Sequence, residues 1–216
     1  AEQWLHKHST NKTAFAEEVG RQISPDSSVL ELGCGEGNDS IYFAELGHAI
    51  VATDFSDVAI EQDKKRWNHP NLTFKVQDIS EALEFGDASF DTVYARLSLH
   101  YFTDETTRDI FHEIARVLKP GGELYFMCKS TDDHIYGQGD EIEADMYELK
   151  GHVRHFFSKD YVLSLLDDVG LSAKNIETKG QEDEVGERQG AWESTHAQGK
   201  PRSSGSCLPP SLSPSE

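Results

Sequence analysis

Three glycines at even spacing fall in the stretch Glu31-Leu32-Gly33-Cys34-Gly35-Glu36-Gly37. Glycines placed this way let a ligand lie directly against the backbone. A dinucleotide-binding turn reads G-x-G-x-x-G and aims a helix N-terminus at a pyrophosphate. Position 38 is Asn38, so that fingerprint fails at its last glycine. The flanking carboxylates Glu31 and Glu36 would repel a phosphate and favour a cation. Seventeen residues after Gly37, an apolar run ends in Asp54. A carboxylate there can accept both hydroxyls of a ribose. A third run is followed by Asp78-Ile79. A carboxylate beside a backbone N–H matches the amino edge of adenine. Together the three turns describe a pocket for an adenosine that carries positive charge and no phosphate.

These turns need strands to hold them. Val29-Leu30-Glu31-Leu32, Ala49 to Thr53, Leu72 to Val76, Phe90 to Ala95 and Glu123 to Cys128 read as short buried strands. Helical patterns separate them. Ser9 or Thr10 is the expected cap of a helix to Gln22, Ser56 caps another, and Asp104 starts a long one carrying Ile110, Phe111 and Ile114 on one face. Ser158 caps a last helix, and Ser172 to Thr178 is a candidate sixth strand. Apolar strands alternating with helices predict an α/β, Rossmann-like, doubly wound and mostly parallel sheet. Ligands of such sheets bind beyond the carboxyl ends of the strands, which selects the turns after Leu32, Thr53, Val76 and Ala95.

Composition narrows the function. The 216 residues carry 39 Asp plus Glu against 20 Lys plus Arg, a formal charge of −19. That balance opposes binding to nucleic acid and to anionic membrane surfaces. No apolar run approaches the roughly 20 residues of a membrane span. The N-terminus lacks the apolar core of a signal peptide, so a cytoplasmic protein is expected. Cys34, Cys128 and Cys207 share no short spacing, and no metal-ligand pattern is present, so neither a disulfide framework nor a metal site is expected.

With these residues in place, the chain resembles the class I S-adenosylmethionine-dependent methyltransferases of the small-molecule type. The resemblance runs over roughly residues 4–179. It is carried by VLELGCGEGNDSIYFAELGHAIVATD (29–54), FKVQDIS (74–80), FDTVYARLSLHYF (90–102) and EIARVLKPGGELYFMCKS (113–130). The resemblance implies that Gly33, Gly35 and Gly37 approach the methionine part of the cofactor, S-adenosylmethionine, with Glu31 near its ammonium. It implies that Asp54 holds the ribose, Phe55 packs on the adenine, Asp78 meets its amine and Ile79 covers the ring. Ala95 and Arg96 would lie beside the methionine moiety, and Trp4 would close the pocket.

Methyl transfer from a sulfonium is an in-line displacement, governed mainly by alignment. The acceptor is expected to be a small molecule. The Asn/Asp-Pro-Pro-Tyr/Phe turn of nucleic-acid and glutamine N-methyltransferases of this fold is absent after the fourth strand. His100 and Tyr101 stand there instead as candidate catalytic groups. A long insertion, about Ser130 to Phe157, is expected to act as a lid, with His152, Arg154 and His155 as candidate substrate-binding residues. Three other functions compete: a non-catalytic S-adenosylmethionine-binding protein; a protein methyltransferase acting on lysine or a terminal amine, since the acidic surface suits a basic protein partner; and, weakest, an NAD-dependent dehydrogenase.

The C-terminal region departs from the family. Residues 181–216 read as a polar Ser/Pro-rich tail without structure, which places the methyltransferase domain at 1–180. The family's last strand is expected to be atypical or missing, with 189–197 a weak candidate for its slot.

Overall fold

The structure is a computed structural model, and residues 11–182 and 188–199 are described. Trp4 and both expected caps, Ser9 and Thr10, lie outside the described residues. The first described helix, α1 (Ala14–Gly20), is capped by Thr13, whose hydroxyl accepts the N–H of Ala16 at 3.1 Å. Then follow β1 (Ser28–Leu32), α2 (Asn38–Glu45), β2 (Ala49–Asp54), α3 (Asp57–Arg66), β3 (Leu72–Val76), β4 (Phe90–Arg96), α4 (Asp104–Val117) and β5 (Leu118–Lys129). The insertion supplies β6 (Asp140–Glu143), β7 (Met146–Leu149) and β8 (His152–His155), and the chain continues through α5 (Lys159–Asp168), β9 (Leu171–Glu182) and β10 (Arg188–Gly199). As expected, Ser56 caps α3 and Ser158 caps α5; α4 is capped by Thr103, one residue before the expected Asp104.

The central sheet has the order β3-β2-β1-β4-β5-β10-β9. The first five of these strands pair in parallel. Its strands alternate their side chains between two cores. Leu30, Leu32, Val93 and Ala95 face Ile110, Phe111 and Ile114 of α4. Val29, Ile50, Tyr94 and Tyr125 face Phe15 of α1 and Phe43 of α2. Burying each large apolar side chain contributes about 1.5–3 kcal/mol, so both faces of the sheet lock the strand ends in place. Those ends carry the turns that matter below.

The sheet does not stop where the sequence places the domain edge. β10 lies between β5 and β9 and runs antiparallel to both, with Thr195 opposite Phe126 and Ala197 opposite Leu124. The last strand is therefore present, and the sheet extends past residue 180 to Gly199. The reason is physical. A strand with a ladder on each side satisfies its backbone groups whatever its side chains. Thr195 and Ala197, two apart and both buried, supply a small inward face that reads weakly in a polar sequence. His196, between them, stacks on Tyr125 at 4.2 Å between ring centroids. Residues 200–216 lie outside the described residues.

The insertion forms its own three-stranded antiparallel sheet, β6-β7-β8. Tyr136, Tyr147 and Phe156 pack edge to face beneath it. It is tied to the main body by the His155 N–H, which donates to His100 O at 3.0 Å, and by the Asp104 N–H, which donates to Glu143 Oε1 at 2.6 Å. Among the described residues no helix is long and apolar enough to cross a membrane.

Candidate functional site

A cavity of about 550 Å³ opens at the carboxyl ends of β1 to β4. Each of these strands gives it one turn. Gly33 and Gly35 follow β1, Asp54 and Phe55 end β2, Asp78 and Ile79 follow β3, and Tyr101 and Phe102 stand beyond β4. Seven of the residues expected from the sequence are thus brought together on one wall: Gly33, Gly35, Asp54, Phe55, Asp78, Ile79 and Tyr101.

The glycine turn is held from beneath. The N–H groups of Gly33 and Cys34 both donate to Thr53 O at 2.8 Å, and the Thr53 hydroxyl donates to Glu31 O at 2.7 Å. The two cavity-lining glycines differ in what surrounds them. Gly33 has φ +79, and a Cβ there would stand 2.5 Å from Ser98 Cβ. Ser98 cannot retreat freely, because its hydroxyl donates to Leu32 O at 2.6 Å. Gly35 has φ +53, and a Cβ there would meet nothing within 4 Å. The first glycine lets the protein close on itself; the second leaves the cavity floor bare.

Asp54 links two turns. Its Oδ2 accepts the Gly35 N–H at 3.1 Å, and its Oδ1 accepts the Ser56 N–H at 3.0 Å. Each carboxylate oxygen keeps a further lone pair for a ligand hydroxyl. Asp78 accepts from the N–H and hydroxyl of Ser80 at 2.9 and 2.7 Å. Phe55 is 76% exposed, an apolar face left at the mouth of the cavity.

The remaining expected residues lie off this wall. Gly37 sits at the start of α2, where a Cβ would meet Phe74 and Trp67. Ala95 is buried within β4, and Arg96 ends that strand. Glu31 is buried beneath the turn and accepts from the Ser40 hydroxyl at 2.5 Å. Of the two catalytic candidates, only Tyr101 lines the cavity. His100 is 2% exposed and packs behind it, its ring 4.4 Å from that of Tyr101. His155 is buried against Phe102 O, whereas His152 is exposed on β8. The side chains of His152, Arg154 and His155 are likewise absent from the wall.

Four lining residues escape the sequence reading: Gln77, Leu97, Ser98 and Phe102. Gln77 clamps the loop after β3 by donating to Asp78 O at 2.8 Å and accepting from the Glu84 N–H at 3.1 Å. Leu97 adopts φ +55, which no sequence signal announces for a leucine. Ser98 could have been sought as the close neighbour that Gly33 implies.

Burial pushes the Glu31 carboxyl up to about 8, with Asp39 beside it adding to the rise. The folded protein therefore holds a proton at Glu31 that the unfolded chain releases above about 4.5. Bound protons favour the fold, so stability falls as pH rises from about 4.5 to about 8 and levels beyond. Glu31→Gln should remove this loss. Its melting temperature should match that of the parent near pH 4.5 and exceed it increasingly up to pH 8. A difference that stays constant across that window would contradict the assignment.

Among the described residues no group of three or more His, Cys, Asp or Glu side chains could hold a metal ion. A methyltransferase-domain family model matches residues 29–122. An uncharacterized methyltransferase of Synechocystis sp., sll0829, is 40% identical over 100 residues, which is 46% of each chain. The chain thus spans less than half the length of that relative. A SAM-dependent methyltransferase structure from Methanosarcina mazei superposes with a TM-score of 0.74 at 24% identity, covering 86% of this chain and 98% of that one. A 1,6-didemethyltoxoflavin-N1-methyltransferase from Burkholderia thailandensis, solved with bound 1,6-didemethyltoxoflavin and S-adenosylhomocysteine, gives a TM-score of 0.68 at 19% identity, covering 91% of this chain and 80% of that one. At these identities the structural likeness is one of fold.

Proposed function

Because the chain belongs to the class I S-adenosylmethionine-dependent methyltransferases, we propose that its cavity binds S-adenosylmethionine and that the protein transfers the methyl group to a small molecule. The single observation that carries this is Asp54. It stands on the cavity wall, tied to the Gly35 and Ser56 N–H groups, with lone pairs left for two ribose hydroxyls.

The wall fits the rest of such a ligand. The bare backbone at Gly35 leaves room for a chain laid against it. Asp78 and the apolar surfaces of Ile79 and Phe55 suit an adenine with its amine toward the carboxylate. Among the described residues no basic side chain lines the cavity, which disfavours a pyrophosphate-bearing cofactor.

When bound, S-adenosylmethionine supplies a methyl group on a positively charged sulfur with a neutral leaving group. The protein's own task is alignment, which can supply on the order of 7–11 kcal/mol. Ser98 fixes the end of β4 to β1, and Tyr101 and Phe102 close the acceptor side. Tyr101 places its phenol there and is half exposed. It is proposed as the group that positions the acceptor. His100 is proposed as a support behind Tyr101. A small acceptor is supported by the cavity volume, which falls within the roughly 300–1,000 Å³ of small-ligand sites, and by the small substrate of the Burkholderia relative.

The test is transfer itself. The protein is incubated with S-adenosylmethionine and, in parallel, with a panel of small thiols, amines, phenols and carboxylates or an array of basic peptides. Formation of S-adenosylhomocysteine with a member of the small-molecule panel is expected. Transfer confined to the peptides would overturn the small-molecule reading and favour a protein acceptor.

A further inference from the structure

We infer that Arg116, paired with Glu113 on the last turn of α4, is a positioning residue for base recognition: the pair holds the loop after β3 in the shape that presents Asp78 and Ile79 to the adenine. This rests on the proposed S-adenosylmethionine site and adds to it two residues that stand outside the cavity wall.

The two side chains form a fork. Arg116 Nε donates to Glu113 Oε1 at 2.8 Å, and Nη2 donates to Oε2 at 2.7 Å. Bidentate pairing of this kind fixes the plane of the guanidinium. Its outer edge is directed at backbone. Nη2 also reaches Leu83 O at 2.9 Å, and Nη1 reaches Phe85 O at 2.7 Å and Asp87 Oδ1 at 3.0 Å. Glu113 Oε2 in turn accepts the Leu83 N–H at 2.8 Å. Both backbone groups of Leu83 are thus taken by one ion pair on α4.

The held segment is continuous with the cavity wall. Gln77 donates to Asp78 O at 2.8 Å and accepts the Glu84 N–H at 3.1 Å, so the residue after Leu83 is tied back to the start of the loop. The Glu81 N–H also donates to Asp78 O, at 3.3 Å. Ile79 and Leu83 are buried in the same core, and Phe85 packs against it with its ring edge-on to Phe90 at 5.2 Å. Of these residues Gln77, Asp78 and Ile79 line the cavity.

The loop has little else to fix its shape. β3 runs to β4 with no helix between them, and residues 77–89 belong to neither a helix nor a strand. Backbone groups without a ladder must be satisfied by side chains or water. Glu113 and Arg116 are both partly exposed, and an ion pair in that setting adds little to stability by itself. Its three bonds to loop backbone give it a different task. A lysine at position 116 would keep the charge but lose the planar fork that serves a carboxylate and two carbonyls together.

Calorimetric titration of the full chain tests this with S-adenosylhomocysteine and with its analogue carrying hydrogen in place of the adenine amine. The parent should prefer S-adenosylhomocysteine by about tenfold or more, the order of one hydrogen bond to a charged acceptor. Arg116→Gln should reduce that preference to about threefold or less, chiefly by weakening S-adenosylhomocysteine, and Glu113→Gln should act likewise from the other side of the pair. Arg116→Lys should fall between. Ile110→Val, a buried change on the same helix with no hydrogen bond to give the loop, should lower stability yet keep the parental preference. In the ligand-free protein, hydrogen exchange at the Glu84 amide, which bonds to neither member of the pair, should quicken in Arg116→Gln more than at Val93 of β4. A parental preference in Arg116→Gln, a parent that binds both nucleosides equally, or a Glu84 amide that exchanges as in the parent would overturn the inference. Failure of either nucleoside to bind the parent would instead overturn the methyl-transfer reading, and exchange at Glu84 would still decide whether the pair holds the loop.

Discussion

Asp54→Ala should weaken S-adenosylmethionine binding by about 10²-fold or more while leaving the protein folded. Each hydrogen bond to a charged acceptor contributes about 1.5–3 kcal/mol, and two ribose hydroxyls are proposed to donate here. Losing about 3 kcal/mol corresponds to somewhat over 10²-fold in affinity. Asp54→Asn is not a silent control. The two carboxylate oxygens both accept backbone N–H groups, from Gly35 and Ser56. An amide must turn its NH₂ toward one of those donors, and that turn loosens. Asp54→Asn should therefore fall between the parent and Asp54→Ala in affinity. Parental affinity in Asp54→Ala, measured by calorimetry on folded protein, would remove Asp54 from the site.

The second large effect separates two neighbouring glycines. Gly33→Ala puts a methyl 2.5 Å from Ser98 Cβ at φ +79, against a side chain fixed to Leu32 O. Left-handed backbone costs about 1–2 kcal/mol for a residue with a Cβ, and overpacking adds about 1–3 kcal/mol. Stability should fall by about 2–5 kcal/mol, read as a depressed melting temperature of the ligand-free protein. Gly35→Ala meets no atom within 4 Å, so it should lose only the backbone cost of about 1–2 kcal/mol. Its methyl fills cavity floor instead, and S-adenosylmethionine affinity should drop by about tenfold, the order expected when displaced contacts cost about 1.4 kcal/mol. If Gly35→Ala binds as the parent does, nothing lies against that backbone and the proposed ligand pose is wrong.

These contrasts show what the sequence could and could not carry. The parallel strands were legible because a strand buried on both faces reads as a continuous apolar run, as in Ala49 to Thr53. The turn residues were legible because each has a chemical reason at a strand end: bare backbone at Gly33 and Gly35, a carboxylate at Asp54 and at Asp78. β10 was legible only faintly, as the candidate stretch 189–197, since a strand laddered on both sides needs little from its side chains; Thr195 and Ala197 mark its buried face. The far wall was hidden for a related reason. Leu97 at φ +55 and Gln77 clamping its own loop follow from tertiary constraint, and their residue types carry no local signal.

Side-chain depth was the other blind spot. His100 and Tyr101 are adjacent in sequence and equally plausible as reactive groups. The turn after β4 sends Tyr101 to the cavity and His100 into the interior. Glu31 similarly faces Ser40 beneath the glycine turn, so its influence on a bound cation would act through the electric field and through its proton.

The cavity is proposed to be shaped for a phosphate-free adenosine that bears a positive charge. Calorimetric titration of the folded full chain with S-adenosylmethionine, S-adenosylhomocysteine and NAD measures this directly. One-site saturable binding of the first two, with no binding of NAD, is the predicted result. Heat from NAD alone, or from none of the three while circular dichroism shows the fold intact, would contradict it.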